Sequence, residues 1–542
     1  MSGKETTIED FEEFGWRRTA PFARRAVMTL FSWQQPGWTF LWAVAAGLVF
    51  CAFAFMAPAL LSVSPTVDLI APIATARAIT GGEAMLVDQQ SPFYLFLIMG
   101  ADYFADSPGR IHLVAKAFSA LIVAYSLSHI ASSRLPIIQT VLISAAFAAY
   151  VAAPFAGPAE FGLALLLVCS LCFVSASADN SAKRARGEGL LAGALLYSLW
   201  ILSPVFSLAG FLVLSACPFL SGRSGLTRYA TTLIAFAVLA GVCEYFAPGI
   251  NLARASAASG VLTMDATFSN RETAIGLSGI AMSTIVIIAA TVVFGGREHA
   301  RGWIAAFALG VVAFVAARLA GANVLPVFII VAAITCFSVS SPFYDGLFSN
   351  HDRASVATAL TASSLTCFWT VAIIINAFGQ FSLQRQVAED TPENIKSELA
   401  LVQPGGPTIA RWVEEGRFTT PEAREYFALA PIDQSVMLLE AASRAKTISE
   451  QGLEVAILTG ADTACILTNA RSCRASGAQA AAGAKVVFVP RLDLDPATAE
   501  TKDKAEALLY TEFELIERSA LWEIWVRRGV TIPANFWSGA QG

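Results

Sequence analysis

Residues 38–61 read WTFLWAVAAGLVFCAFAFMAPALL, an uncharged run of apolar and small residues. A surface helix of a soluble protein would place polar residues on one face of such a stretch. About 20 mainly apolar residues are what a helix needs to cross a bilayer. The run therefore commits the chain to a membrane, and the same pattern recurs to position 378. Further apolar blocks cover Leu113–Ala131, Pro136–Ala153, Ala159–Ala176, Gly189–Leu202 and Val205–Leu220. Tyr229–Phe246, Ala274–Gly295, Gly302–Leu319, Val324–Ser340 and Ser355–Phe378 complete eleven predicted spans. The fifth and sixth are separated only by Ser203 and Pro204. Read as one kinked element, they would reverse the side on which the chain ends.

Composition agrees. The 542 residues are 56% hydrophobic and only 14% charged, against about 25% charged in soluble domains. A net charge of −5 gives no reason to expect nucleic acid as a partner. Seven of the nine cysteines sit in apolar blocks as small packing residues. Cys465 and Cys473 lie in the polar tail, fit no metal spacing, and would form a disulfide in an oxidising compartment.

Three regions follow: a leader (1–37), a membrane domain (38–379) and a tail domain (380–542). The leader opens with Glu9, Asp10, Glu12 and Glu13 and continues as a basic, aromatic stretch from Trp16 to Trp33. It reads either as an amphipathic helix on the inner membrane surface or as a basic flank that fixes topology. No cleavable signal peptide is expected, because the first apolar block begins only at Trp38. With eleven spans and an inside N-terminus, fourteen of the 36 Lys and Arg residues fall on the inner side and six on the outer side. This is the basic bias expected of inner loops, and it places the tail outside, in the periplasm of a bacterial cell.

Two outer loops are long, 62–112 and 247–273, and long ordered loops usually carry function. The first holds Asp68, Arg77, Glu83 and Asp88, then an apolar stretch from Ser91 to Met99 too short to span. A re-entrant or interfacial helix is predicted there. A carboxylate just beyond a span, such as Asp68, suits a general base working beside a lipid headgroup, and Arg77 suits a phosphate. Ordinary solvated charges would give the same pattern. The second loop carries Arg254, Asp265, Arg271 and Glu272, with Glu244 before it, and Arg318 lies near the outer end of the ninth span. Outer-side arginines run against the charge bias, so an anionic lipid-phosphate substrate or simple acid pairing has to account for them.

The ordered set in the first loop resembles that of GT-C superfamily glycosyltransferases, closest to the protein O-mannosyltransferase and lipid A aminoarabinose transferase branches. Its parts are Asp68, a predicted helix Ala71–Thr80 with Arg77, Gly81-Gly82, Gln90-Ser91-Pro92-Phe93-Tyr94, Asp106-Ser107-Pro108 and Ser119-Ala120-Leu121. Leu69 stands where that family often carries a second acid, and Ser91 where it carries the first proline of a pair. The resemblance implies a polytopic α-helical enzyme that takes sugar from a polyprenyl-phosphate donor to an envelope glycan, lipid or protein. It assigns the base to Asp68, with Asp88 in reserve. It assigns substrate and phosphate contacts to Arg77, Gln90, Tyr94, Arg254, Arg271 and Arg318. A divalent cation is left open as cofactor, and no residue is assigned to a metal. Two other classes compete: a transporter or flippase, and a non-catalytic assembly partner for lipid-linked polysaccharide.

From Gln380 the pattern becomes that of a small α/β domain with 16 basic and 22 acidic residues. Thr391-Pro392-Glu393 and Thr420-Pro421-Glu422 predict helix starts. Leu453–Leu458 and Val486–Val489 predict buried strands, and Lys504–Arg528 predicts one long helix. Thr459–Asp462, after the first strand, reads as a binding turn or a plain connection.

Overall fold

In the computed structural model, the described residues are 36–56, 60–61, 69–82, 85–86, 91–105, 107–135, 137–154, 156–174, 181–262, 300–333, 353–390, 401–402, 431–459, 463, 466, 478–492, 496–519 and 521–531. The leader before Pro36, Asp68, Glu83, Asp88, Gln90, residues 263–299 with Arg271, and both tail cysteines lie outside them. So do the two predicted helix starts at 391 and 420 and most of the 459–462 turn.

The helices in chain order are α1 (Pro36–Met56), α2 (Ala71–Thr80), α3 (Pro92–Asp102), α4 (Pro108–Ala131), α5 (Ile137–Ala152), α6 (Pro158–Val174), α7 (Ala182–Leu202), α8 (Pro204–Phe246), α9 (Ile250–Leu262), α10 (Ala300–Ala320), α11 (Arg353–Asp390), α12 (Pro431–Ser449), α13 (Ala478–Gly483) and α14 (Pro496–Glu512). The strands are β1 (Leu60–Leu61), β2 (Leu401–Val402), β3 (Val455–Ile457), β4 (Val486–Pro490), β5 (Phe513–Arg518) and β6 (Trp522–Arg527). The chain forms two compact units. One comprises residues up to 54, 87–93 and 116–379, and the other 55–86, 94–115 and 380–542.

The described residues of the first unit are all helical or in the turns between helices. Among the described residues of the chain, three helical segments are long and apolar enough to cross a membrane: Pro108–Ala131, Ser224–Phe246 and Ser364–Ser382. Shorter apolar helices include Ile137–Ala152, Pro158–Val174 and Ile304–Ala320. Ser224–Phe246 leaves Leu226, Ile234, Val238, Val242, Tyr245 and Phe246 exposed. That much outward apolar surface would promote association in water, and it suits lipid. Where helices meet, small residues make the seam, as expected when lipid tails compete equally well for apolar side chains. Gly189 and Gly193 of α7 lie against α8, where a Cβ at 193 would come within 2.6 Å of the Thr232 carbonyl oxygen. At Gly47, α1 meets Ala124 of α4 just as closely.

Helix α8 runs as one element of 43 residues, yet it is doubled back. The rings of Phe211 and Phe236 are 5.0 Å apart, whereas a straight helix would separate them by about 37 Å. The Cys217 thiol also reaches the Gly225 carbonyl at 3.4 Å. The reversal therefore falls between Cys217 and Gly225, between the predicted sixth and seventh spans. Leu196 of α7 packs at Gly210 on one arm and Gly193 packs at Ala235 on the other.

In the second unit, β3-β4-β6-β5 form one sheet, parallel between β3 and β4 and antiparallel elsewhere. One face buries Ala456, Val487, Val489, Phe513 and Trp525 with Ala481, Ala505 and Leu509 of α13 and α14. On the other face, Trp522 stacks edge-on to Phe488 and its indole N–H donates to the Met437 carbonyl of α12 at 3.1 Å. The two predicted strands are present as β3 and β4. The predicted helix Lys504–Arg528 is a correction: the helix ends at Glu512 and the rest is the hairpin β5–β6. Phe513, Leu515, Leu521 and Ile524 fit a helical face, but Trp522, Ile524, Trp525 and Val526 are strand formers that fill the sheet centre. Ser519 closes the turn, its hydroxyl accepting from the Trp522 N–H at 2.9 Å.

Candidate functional site

The loop after α1 folds into ordered helices. Pro72 stands in the first turn of α2, where a missing N–H costs nothing. The helix ends at Gly81, whose N–H reaches the Arg77 carbonyl at 2.8 Å. Gly82 then takes φ 78°, a conformation that favours glycine. Helix α3 covers the apolar stretch predicted to lie in the interface.

Arg77 is buried in the last turn of α2 and meets Asp102 in a two-pronged ion pair. Nε to Oδ2 is 3.1 Å and Nη2 to Oδ1 is 2.7 Å. Such fork-to-fork pairing fixes direction as well as distance. Asp102 closes α3, an end where the helix dipole disfavours a carboxylate, so Arg77 offsets a local cost while joining the two helices. His112, at the head of α4, is buried, and its Nε2–H donates to the Leu69 carbonyl at 3.0 Å. Tyr94 lies over the His112 ring at 6.5 Å. The backbone directly after position 68 is thereby held by a histidine 43 residues away.

Of the residues selected from sequence, Arg77 and Tyr94 fall in this unit with Asp102 and His112. Arg254 is buried in α9, and Arg318 is half-buried in the last turn of α10, both in the helical unit. Glu244 caps α9: its carboxylate accepts from the N–H groups of Gly249 and Asn251 and from the Asn251 amide. The sequence did not single out Asp102 or His112 for a role. Their signals were an acid ending an apolar stretch and one of only four histidines.

Two more buried polar groups lie in the helical unit. Lys116 sits inside α4 and donates through Nζ to the carbonyls of Ala153 (3.1 Å) and Pro154 (2.6 Å). A cation is well placed at these carbonyls, just past the C-terminus of α5. The Glu160 carboxylate accepts from the Gly157 and Asn323 N–H groups, and Tyr150 donates to the Asn323 carbonyl at 2.7 Å. The second group centres on Glu188, fully buried in α7. Arg134 grips both of its oxygens at 2.8 Å, Arg184 donates at 3.0 Å, Ser133 at 3.2 Å, and Arg228 Nε lies 3.7 Å away. The guanidiniums also bind carbonyls near helix C-termini: Ile130 and His129 at the end of α4, Cys172 at the end of α6.

Among the described residues, no group of three or more His, Cys, Asp or Glu residues could hold a metal ion. No protein-family model, curated protein or solved structure matches the chain.

Proposed function

We propose that the chain is a membrane glycosyltransferase of GT-C type, with about eleven spans, lying in a bacterial inner membrane with its tail in the periplasm. It would move sugar from a polyprenyl-phosphate donor to an envelope glycan, lipid or protein. One observation carries the reading: the loop after α1 holds two ordered helices, and the carbonyl next to position 68 is gripped by His112. In the resembling family this loop bears the catalytic acid, and a base has to be held in place to act.

In this scheme the Asp68 carboxylate takes the proton of the acceptor hydroxyl as its oxygen bonds to the anomeric carbon. The bond from that carbon to the phosphate oxygen breaks, and the lipid phosphate leaves with the electron pair. Arg254, Arg271 and Arg318 meet the phosphate, and Gln90 and Tyr94 the rest of the substrate. Arg77 commits two nitrogens to Asp102, so its part is to position the loop.

Asp68→Asn should lower transfer from a polyprenyl-phosphate sugar by about 10²–10⁴-fold, with expression and membrane insertion unchanged. Loss in Asp88→Asn but not in Asp68→Asn would move the base to position 88. If both variants transfer sugar normally, the enzyme reading fails. Lys116 favours a transporter or flippase as the second reading, because a buried charge within a span often lines a pathway. Loss of lipid translocation in Lys116→Met, with transfer intact, would select it.

A further inference from the structure

We propose that the end of the helical unit around Glu188 is a binding surface for anionic phospholipid headgroups. Among the described residues, Arg134, Lys183, Arg184, Arg186 and Arg228 lie at this end, against the acid Glu188. Glu188 already accepts four hydrogen bonds from three side chains, three on Oε1 and one on Oε2. Guanidiniums keep their protons under any accessible condition, so the excess positive charge persists.

Arg184 is the link between the buried knot and the surface. Its Nε is fixed on Glu188, and its Nη2 on the His129 carbonyl. The side chain is 21% exposed, and Nη1 has no hydrogen-bond partner among the described residues. A guanidinium held this way is already ordered before a ligand arrives, which removes much of the entropic cost of binding. Lys183 and Arg186 are exposed near it at the start of α7, three residues apart and so on one face of the helix. Cations there oppose the helix dipole, so the helix itself gains nothing from them. A fixed guanidinium beside two exposed cations, at the start of an apolar helix, suits a phosphodiester carried on acyl chains. Basic residues near an anionic lipid surface each strengthen association several-fold.

The test uses the detergent-solubilised full chain. Its melting temperature is followed while phosphatidylglycerol, phosphatidylcholine of the same acyl chains, or inorganic phosphate is added. Phosphatidylglycerol should raise it and phosphatidylcholine should not. In Lys183→Gln/Arg186→Gln, which touches only exposed side chains, the apparent affinity for phosphatidylglycerol should drop roughly 20–30-fold. The melting temperature without added lipid should stay where it was. Equal responses to the two lipids in the unaltered protein, or an undiminished phosphatidylglycerol response in the variant, would overturn the proposal. An equal response to inorganic phosphate would also overturn it, marking a free-anion site.

Discussion

The Glu188 knot and the Arg444 cluster of the tail are built from the same side chains in opposite proportions. In the helical unit three arginines share one buried glutamate. In the tail, Arg444 is shared by Glu517 at 2.8 Å and Glu440 at 3.5 Å, all three partly exposed. The surplus therefore differs in kind. A surplus carboxylate can take up a proton, and burial does push the Glu440 pKa up, with Glu517 adding to the shift and Arg444 opposing it. A guanidinium has no such exit, and in the knot helix carbonyls share in balancing its charge. The Arg77–Asp102 pair, joined by two hydrogen bonds, stands between the two cases.

Removing the single acid of the knot should have the largest effect. Glu188→Gln leaves three guanidiniums around a neutral amide, and breaking a buried pair this way costs about 3–5 kcal/mol. Thermal unfolding in detergent should register this as a large drop in the melting temperature. A variant as stable as the parent would show that the carbonyls alone balance the charge.

Breaking the Arg77–Asp102 pair should cost less. Asp102 is partly exposed, so Arg77→Met is expected to cost about 1–3 kcal/mol, the range for a hydrogen bond to a charged group. Arg77→Met/Asp102→Leu should recover part of that loss in a double-mutant cycle. Purely additive losses would mean that the two side chains do not interact.

The tail cluster should give the smallest effect, and one that depends on pH. A carboxyl whose folded pKa is raised binds its proton more readily in the folded state. Its destabilising effect is absent below the ordinary carboxylate pKa and grows as pH rises toward the folded value. Glu440→Gln should remove this slope and change stability by less than about 1 kcal/mol. An unchanged slope in urea unfolding monitored at the sheet tryptophans would assign it to another group.

Much of this architecture is legible in the sequence because it rests on local patterns. Apolar runs mark the helices of the first unit, Gly81-Gly82 follows α2, and the gap between the apolar blocks ending at Leu220 and starting at Tyr229 separates the two arms of α8. The long-range ion pairs were not legible. Arg77 and Asp102 are 25 residues apart, and Arg134 and Glu188 are 54 apart. A charge reads the same in sequence whether water or a guanidinium neutralises it. The β5–β6 hairpin was missed for a different reason: a short amphipathic segment satisfies the helical and the strand period alike, and only its place in the sheet decides.

The parallel pair β1–β2 joins Leu60 to Leu401 and Leu61 to Val402, and this sets a timetable for biosynthesis. At roughly 5–20 residues per second, the ribosome needs on the order of 20–70 s after making the first strand before it delivers the second. Throughout that interval the edge at Leu60–Leu61 stands open. An unpaired edge invites other strands, so the nascent chain is most vulnerable to wrong partners before its last third exists. Truncations that end before residue 401 should therefore be cleared by proteases or aggregate, even when every apolar helix upstream has already been made.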